Sequence, residues 1–381
     1  MPPLSILIKP ASGNCNLRCR YCFYHALTES RIVKNYGIMT SDLLERIVRK
    51  ALAFADGSCT FAFQGGEPTL AGLGFFEDLI TFQKKYNGKG VRINNAIQTN
   101  GMIIDEGWAS FFAHNRFLVG LSLDGPKELH DRSRIAPDET GSFSRAINAI
   151  DLFDRAGVEY NILCVVTKNT ARHAQSVYNF LKKRSKYLQF IPCIDPLEEE
   201  RGCRPYSLTP QDYEKFLKTT FDLWYRDAKS KNPISVRWFD NILGMVAGQE
   251  PEACGMSGVC GCQFIIEADG SVYPCDFYVT DRWRLGNILE DGFLQLRNSD
   301  VCAQFIEESR HLHPDCRICE WYGLCRGGCK RDREPLLGDG AGRNYFCESY
   351  KSFFAYSLPR FRELARKLIA NCMINRVGGT H

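Results

Sequence analysis

The sequence predicts an α/β fold: a partial (β/α)6 TIM-like barrel followed by a cysteine-rich domain with a β-hairpin and a C-terminal helix. Three observations carry this expectation. Six short apolar runs alternate with amphipathic runs over the first 235 residues, the pattern of parallel strands joined by crossover helices. Beyond residue 250 the periodicity gives way to short Gly- and Cys-rich stretches, and ten of the eighteen cysteines lie between Cys254 and Cys347. A chain of 381 residues is also long enough for two or three domains. The expected division is 1–235 for the barrel, 236–375 for the cysteine-rich domain and 376–381 for a tail.

The strands are expected at 4–8 (LSILI), 59–63 (CTFAF), 91–97 (VRINNAI), 117–123 (FLVGLSL), 160–166 (YNILCVV) and 187–193 (YLQFIPC). Their β-branched and aromatic content suits a pleated surface. The run 41–55 places Leu43, Leu44, Ile47, Val48, Ala51 and Leu52 at helical spacing, and similar runs cover 74–86, 105–114, 142–156 and 171–184. A helix over 209–228 has Thr209 as N-cap and Pro210 in its first turn. QFIIEADGSVYPC reads as a hairpin turning at Ala-Asp-Gly-Ser. A helix over 349–372 closes the chain. In folds of this kind the chemistry lies at the C-terminal ends of the strands.

Composition excludes several roles. The net charge of +4 is too small to mark a nucleic-acid or acidic-membrane partner. With a mean hydropathy of −0.26 and no apolar run of 18 residues, no membrane span is expected. MPPLSILIKP lacks the features of a signal peptide, so the expected location is the cytoplasm and a disulfide framework is not. Metal ligation or redox chemistry remains as the reason for so much sulfur.

Cys15-x3-Cys19-x2-Cys22 follows the first strand. Three thiolates hold three of the four irons of a cubane cluster and leave the fourth open. A zinc site wants four closed ligands, and His25 is the one other candidate nearby. The second strand ends in Gln64-Gly65-Gly66-Glu67-Pro68, and the fourth in SLDG with Ser122 and Asp124, followed by Arg134. Gln98-Thr99-Asn100-Gly101 ends the third. A second set runs Cys254, Cys260, Cys275, Cys316-x2-Cys319-x5-Cys325-x3-Cys329 and Cys347. CxxC pairs also suit zinc ribbons.

CNLRCRYCFY, FQGGEPTL, SLDGPKELHDRSR and the whole cysteine array resemble the anaerobic sulfatase-maturating enzymes, radical S-adenosylmethionine (SAM) proteins with a C-terminal SPASM domain. The resemblance covers about residues 4–370. It implies three [4Fe–4S] clusters. Cys15, Cys19 and Cys22 would hold the SAM-cleaving one; Cys254, Cys260, Cys275 and Cys329 a first auxiliary cluster; Cys316, Cys319, Cys325 and Cys347 a second. It implies SAM contacts at Tyr21, Gly65, Gly66, Glu67, Ser122 and Arg134, a substrate pocket including Tyr24 and Gln64, and Asp276 as the catalytic base.

The reaction so implied is oxidation of a Cys or Ser of a sulfatase, in a Cys/Ser-x-Pro-x-Arg-like motif, to Cα-formylglycine. A 5′-deoxyadenosyl radical abstracts a Cβ hydrogen, and Asp276 takes the thiol or hydroxyl proton. The implied partners are the sulfatase and an external one-electron donor such as a ferredoxin or flavodoxin. The cysteine motifs also fit a SPASM-type maturase that forms thioether or carbon–carbon crosslinks. A non-catalytic iron–sulfur or zinc adaptor is the reading from a different class. The chain starts almost directly at its first strand, which favours a short sulfatase motif as substrate. The spare cysteines are Cys59, Cys164, Cys193, Cys203, Cys262, Cys302 and Cys372, those in strands being expected as small buried hydrophobes. Cys262 lies close enough to Cys260 to compete as a ligand.

Overall fold

The computed structural model describes residues 3–197, 199–334 and 342–377, with side chains to residue 369. Six strands run in chain order: β1 (Leu4–Ile8), β2 (Ser58–Phe63), β3 (Arg92–Thr99), β4 (Leu118–Ser122), β5 (Glu159–Val166) and β6 (Tyr187–Pro192). Strands β1 to β5 are neighbours in sequence order and all pair in parallel, as right-handed βα units require. The expected strands are thus present, as an open sheet.

Between them lie α1 (Phe23–Glu29), α2 (Ser41–Phe54), α3 (Leu73–Tyr86), α4 (Glu106–His114), α5 (Lys127–Ser133) and α6 (Phe143–Ala156). Thr40 caps α2 by accepting from the Leu43 N–H, and Asp105 caps α4 by accepting from the Trp108 N–H. Each satisfies a backbone donor that has no partner inside the helix. Leu43, Leu44, Ile47, Val48, Ala51 and Leu52 form the buried stripe of α2. The single helix expected over 171–184 is two, Lys168–Arg172 and Ala174–Leu181. His173, at φ −114° and ψ 27°, leaves helical geometry between them. Phe63, Phe75, Phe76, Trp108, Phe112 and Phe117 pack edge-on or tilted in the core.

The described chain falls into two compact units, interleaved in sequence. The first comprises 1–123, 127–163 and 261–307; the second comprises 124–126, 164–260 and 308–381. In the first unit the hairpin is β8 (Ile265–Ile266) and β9 (Ser271–Tyr273), and β10 (Gly286–Asn287) follows it. The hairpin extends the sheet, β8 pairing in parallel with β1 at Leu7↔Ile265 and Ile8↔Ile266. The β8–β9 turn therefore lies at the C-terminal end of β1, and β9 runs back antiparallel from it. In the second unit β6 pairs in parallel with β7 (Ser235–Val236). Its helix Pro210–Ala228 has the expected Thr209 cap and Pro at the first turn, and a long helix spans Cys347–Val377. Residues 378–381 of the expected tail lie outside the described residues. No described helix is long and apolar enough to cross a membrane.

Candidate functional site

In the first unit, the loop after β1 carries Cys15, Cys19 and Cys22, and Cys22 caps α1. Cys15 Sγ accepts from the Leu17 N–H at 3.4 Å and the Asn100 side-chain amide at 3.7 Å. Burial, with the neighbouring Glu67 and Cys22, pushes its thiol up to about 11 against those donors. Metal binding would displace the thiol proton, and two N–H donors are placed to stabilise the resulting thiolate. The donor set therefore fits a cluster. The backbone of this loop is pinned to the segment after α5, Arg18 N–H donating to Ile135 O and Arg20 N–H to Ser133 O. Arg134, in that segment, is 7% exposed and lies 5.4 Å from the Tyr21 ring centroid. It is therefore a buried cation packed near an aromatic ring. Ser122 ends β4.

The two glycines after β2 have distinct steric reasons. A Cβ on Gly66, at φ +53°, would lie 2.2 Å from Asn14 O and 2.7 Å from Ser12 O. The cysteine loop thus packs directly on this backbone, and no side chain fits. A Cβ on Gly65, at φ +96°, would lie 2.5–2.9 Å from the side chain of Lys9. The space that Gly65 leaves is filled by that lysine.

Glu67 is 1% exposed. Its Oε1 accepts from Thr69 N–H, Thr69 Oγ1 and Thr99 Oγ1, and its Oε2 from Asn100 N–H at 2.7 Å. Burial raises its carboxyl above the usual range in spite of these donors. The polar strand end Thr99-Asn100 therefore serves Glu67 and Cys15, a role its turn-like sequence did not reveal.

At the end of the hairpin, Asp276 directly follows Cys275 and opens a short turn, Asp276–Tyr278. Its carboxylate is held on both oxygens. Lys9 Nζ lies 2.5 Å from Oδ1, and Gln64 donates to Oδ2 at 2.7 Å. The Lys9 side chain is fully buried and that of Asp276 is 12% exposed. The ammonium also sits 3.8 Å from the centroid of the Tyr24 ring. Tyr24 donates to Glu267, which also pairs with Arg31 at 2.5 Å. Burial, then the neighbouring Glu267 carboxylate, hold the Tyr24 phenol well above its usual range. The structure thus brings together the three residues that sequence reading had singled out separately, Tyr24, Gln64 and Asp276. It also supplies the residue that reading missed, Lys9. The one signal was a lysine ending an otherwise apolar strand, LSILIK.

In the second unit, Cys316, Cys319, Cys325 and Cys347 line one cavity, walled by Trp321, Tyr322, Tyr350 and Phe354. Burial, with the other thiols, pushes Cys325 up to about 12 and raises Cys316. Four thiols around one cavity fit a second cluster. Cys329, raised by burial, also feels Cys260 and Cys254, so these three are neighbours. Cys262 instead hydrogen-bonds Cys302 in the first unit. Cys59, Cys164, Cys193 and Cys302 are buried. The side chain of Cys372 lies outside the described residues.

Comparison with known proteins agrees with this geometry. The sequence profile of the Radical SAM superfamily matches residues 10–181, and that of an iron–sulfur cluster-binding domain, SPASM, matches 254–320. A cysteine-type anaerobic sulfatase-maturating enzyme of Clostridium perfringens is 52% identical over 97% of this chain and 100% of its own length. A serine-type enzyme of Bacteroides thetaiotaomicron is 31% identical over 96% of this chain and 92% of its own. A solved structure, native anSMEcpe with bound AdoMet and the Cp18Cys peptide, superposes with a TM-score of 0.93 at 51% identity. It covers 96% of this chain and all of that one.

Proposed function

Because this chain belongs to the anaerobic sulfatase-maturating enzymes, we propose that it oxidises a cysteine of a sulfatase polypeptide to Cα-formylglycine. The higher identity to the cysteine-type relative, 52% against 31% for the serine-type, supports cysteine as the residue oxidised. The family matches over residues 10–181 and 254–320 support the order of a radical SAM core followed by a SPASM domain, which we place at 1–235 and 236–375.

Cys15, Cys19 and Cys22 would hold the cluster that binds SAM. Cys316, Cys319, Cys325 and Cys347 would hold one auxiliary cluster, and Cys254, Cys260 and Cys329 another, with Cys275 as the fourth thiolate of the motif. Tyr21, Gly65, Gly66, Glu67, Ser122 and Arg134 line the SAM side. When bound, SAM and its cluster supply the radical that removes a Cβ hydrogen, and the auxiliary clusters supply an acceptor for the second electron.

The residues of the chain do the rest. Gly66 keeps the cysteine loop against the end of β2. Glu67, saturated by donors, fixes the ends of β2 and β3. The Asp276 carboxylate accepts the proton of the substrate thiol, Gln64 keeps that carboxylate from rotating, and water then hydrolyses the thioaldehyde so formed to the aldehyde with release of hydrogen sulfide. Tyr24 and the Phe23–Phe277 ring pair, 5.0 Å apart, exclude water around it. The first electron comes from an external donor of ferredoxin or flavodoxin type.

The observation that carries this reading is the Asp276 carboxylate, fixed on both oxygens yet still partly open to solvent. The test is anaerobic incubation with SAM, a reductant and a peptide containing Cys-x-Pro-x-Arg. Mass spectrometry should show conversion of the thiol to an aldehyde. A peptide left intact, or crosslinked, refutes the proposal.

A further inference from the structure

Lys9 is the most deeply buried cation beside the candidate base, and the fold makes room for it deliberately. Its backbone N–H donates to Ile266 O at 2.8 Å, and Gln64 N–H donates to Ile8 O at 3.1 Å. These two bonds clamp the end of β1 between the hairpin and β2. The side chain then runs through the space a Cβ on Gly65 would take. It ends with Nζ 2.5 Å from Asp276 Oδ1 and 3.8 Å from the Tyr24 ring centroid. A fully buried ammonium is expensive unless it is paired. Here the partners are one carboxylate oxygen and one aromatic face. Neither Lys9 Nζ nor Asp276 Oδ1 has an aligned hydrogen-bond partner among the described residues. The contact is therefore an ion pair rather than a directed hydrogen bond.

We propose that Lys9 is a positioning residue for the oxidation. It approaches Asp276 from the buried side and fixes the buried Oδ1 by charge, so that the rest of the carboxylate stays turned toward the substrate thiol whose proton it accepts. Gln64 fixes Oδ2 by a directed bond. The two holds together define one orientation of the carboxylate, while its exposed edge faces the substrate. The inference rests on the reading of Asp276 as proton acceptor. It adds that removing the Lys9 charge lets the carboxylate wander, so that SAM is consumed without completed oxidation.

The experiment compares Lys9→Met, Asp276→Asn and the double variant, each reconstituted anaerobically. Wild type and Lys9→Met should both hold about twelve irons per chain. In Lys9→Met, the 5′-deoxyadenosine released per formylglycine should rise about tenfold to a hundredfold, the scale set by misplacing a catalytic group by an ångström. The KM for the peptide should stay within about twofold, the loss falling on kcat. Asp276→Asn should uncouple at least as strongly, and adding Lys9→Met to it should cost nothing further, because the two act as one unit.

Lys9→Met with the wild-type ratio overturns the proposal while leaving Asp276 untouched, provided Asp276→Asn is uncoupled. Wild-type turnover in Asp276→Asn refutes the underlying reading instead. Lys9→Gln, also neutral, is the second variant if Lys9→Met fails to hold iron, and it should show the same uncoupling. Loss of iron in both neutral variants overturns the proposal by making Lys9 a structural residue only.

Discussion

The cysteine loop after β1 and the cysteine pocket of the second unit hold sulfur in opposite ways. Cys15, Cys19 and Cys22 offer three thiols, and the loop carrying them packs on glycine backbone. Their surroundings are polar: Asn100, Glu67 and the Arg134–Tyr21 pair. Cys316, Cys319, Cys325 and Cys347 offer four thiols inside a wall of Trp321, Tyr322, Tyr350 and Phe354. Three thiols leave a position for a substrate or cofactor; four close the site. The polar setting suits a ligand with charges to satisfy, and the aromatic one sets the thiols against apolar rings. On the proposed assignment, sulfur would serve chemistry in one place, and electron storage and structure in the other.

The largest test of that contrast pairs two single substitutions. Cys19→Ala and Cys325→Ala should each reduce the iron content to about eight per chain. Cys19→Ala should abolish SAM cleavage. Cys325→Ala should keep it while losing formylglycine formation. Iron assay and 5′-deoxyadenosine quantification check both. Loss of SAM cleavage in Cys325→Ala would break the division of labour.

The next effect falls on the four-thiol site. Phe354 is 2% exposed and lines the pocket. Phe354→Ala should cost about 3–5 kcal/mol of local stability. Iron should then be stripped from the second auxiliary site faster by a chelator, with SAM cleavage retained. Equal stripping rates in variant and wild type would mean that the aromatic wall does not protect the cluster.

The open site has its own steric weak point at Gly66. Gly66→Ala imposes a left-handed backbone on a residue with a Cβ, costing about 1–2 kcal/mol, and overpacks the cysteine loop by about 1–3 kcal/mol. The loop should move, SAM cleavage should fall by at least tenfold, and the auxiliary irons should remain. An unchanged rate would show that this loop tolerates displacement.

How much of this was legible beforehand follows from the range of the interactions. All six parallel strands were readable, because each is a local apolar run, and the Thr209 cap was readable from two adjacent residues. The break at His173 was not, since nothing in 171–184 interrupts the apolar spacing. In the site, spacing alone marked the cysteines, the glycine pair and Asp276. It did not reveal that Gly65 makes room for a side chain 56 positions earlier, nor that Asp276 comes to lie against Lys9 and Gln64. Those are facts of register and long-range contact, and no local pattern encodes them. Lys9 was missed for the same reason: its meaning lies wholly in three partners distant in sequence.

The smallest prediction probes how the polar setting of the open site tunes it. Asn100 donates through its side-chain amide to Cys15 Sγ at 3.7 Å and to Asn16 Oδ1 at 2.8 Å. Its backbone N–H separately serves Glu67. Asn100→Leu therefore removes one of the sulfur's two donors, the Leu17 N–H remaining, while leaving the Glu67 hold in place. A donor at sulfur favours the more negative, reduced cluster, so its loss should lower the reduction potential. One net hydrogen bond of about 1 kcal/mol corresponds to at most about 40 mV for one electron. An EPR-monitored redox titration resolves a shift of that size, and the auxiliary clusters serve as internal controls because Asn100 contacts none of their thiols among the described residues. An unchanged or higher potential at the SAM-binding cluster would show that its polar surroundings orient ligands without tuning the iron. The difference between the two sulfur sites would then rest on the open coordination position alone.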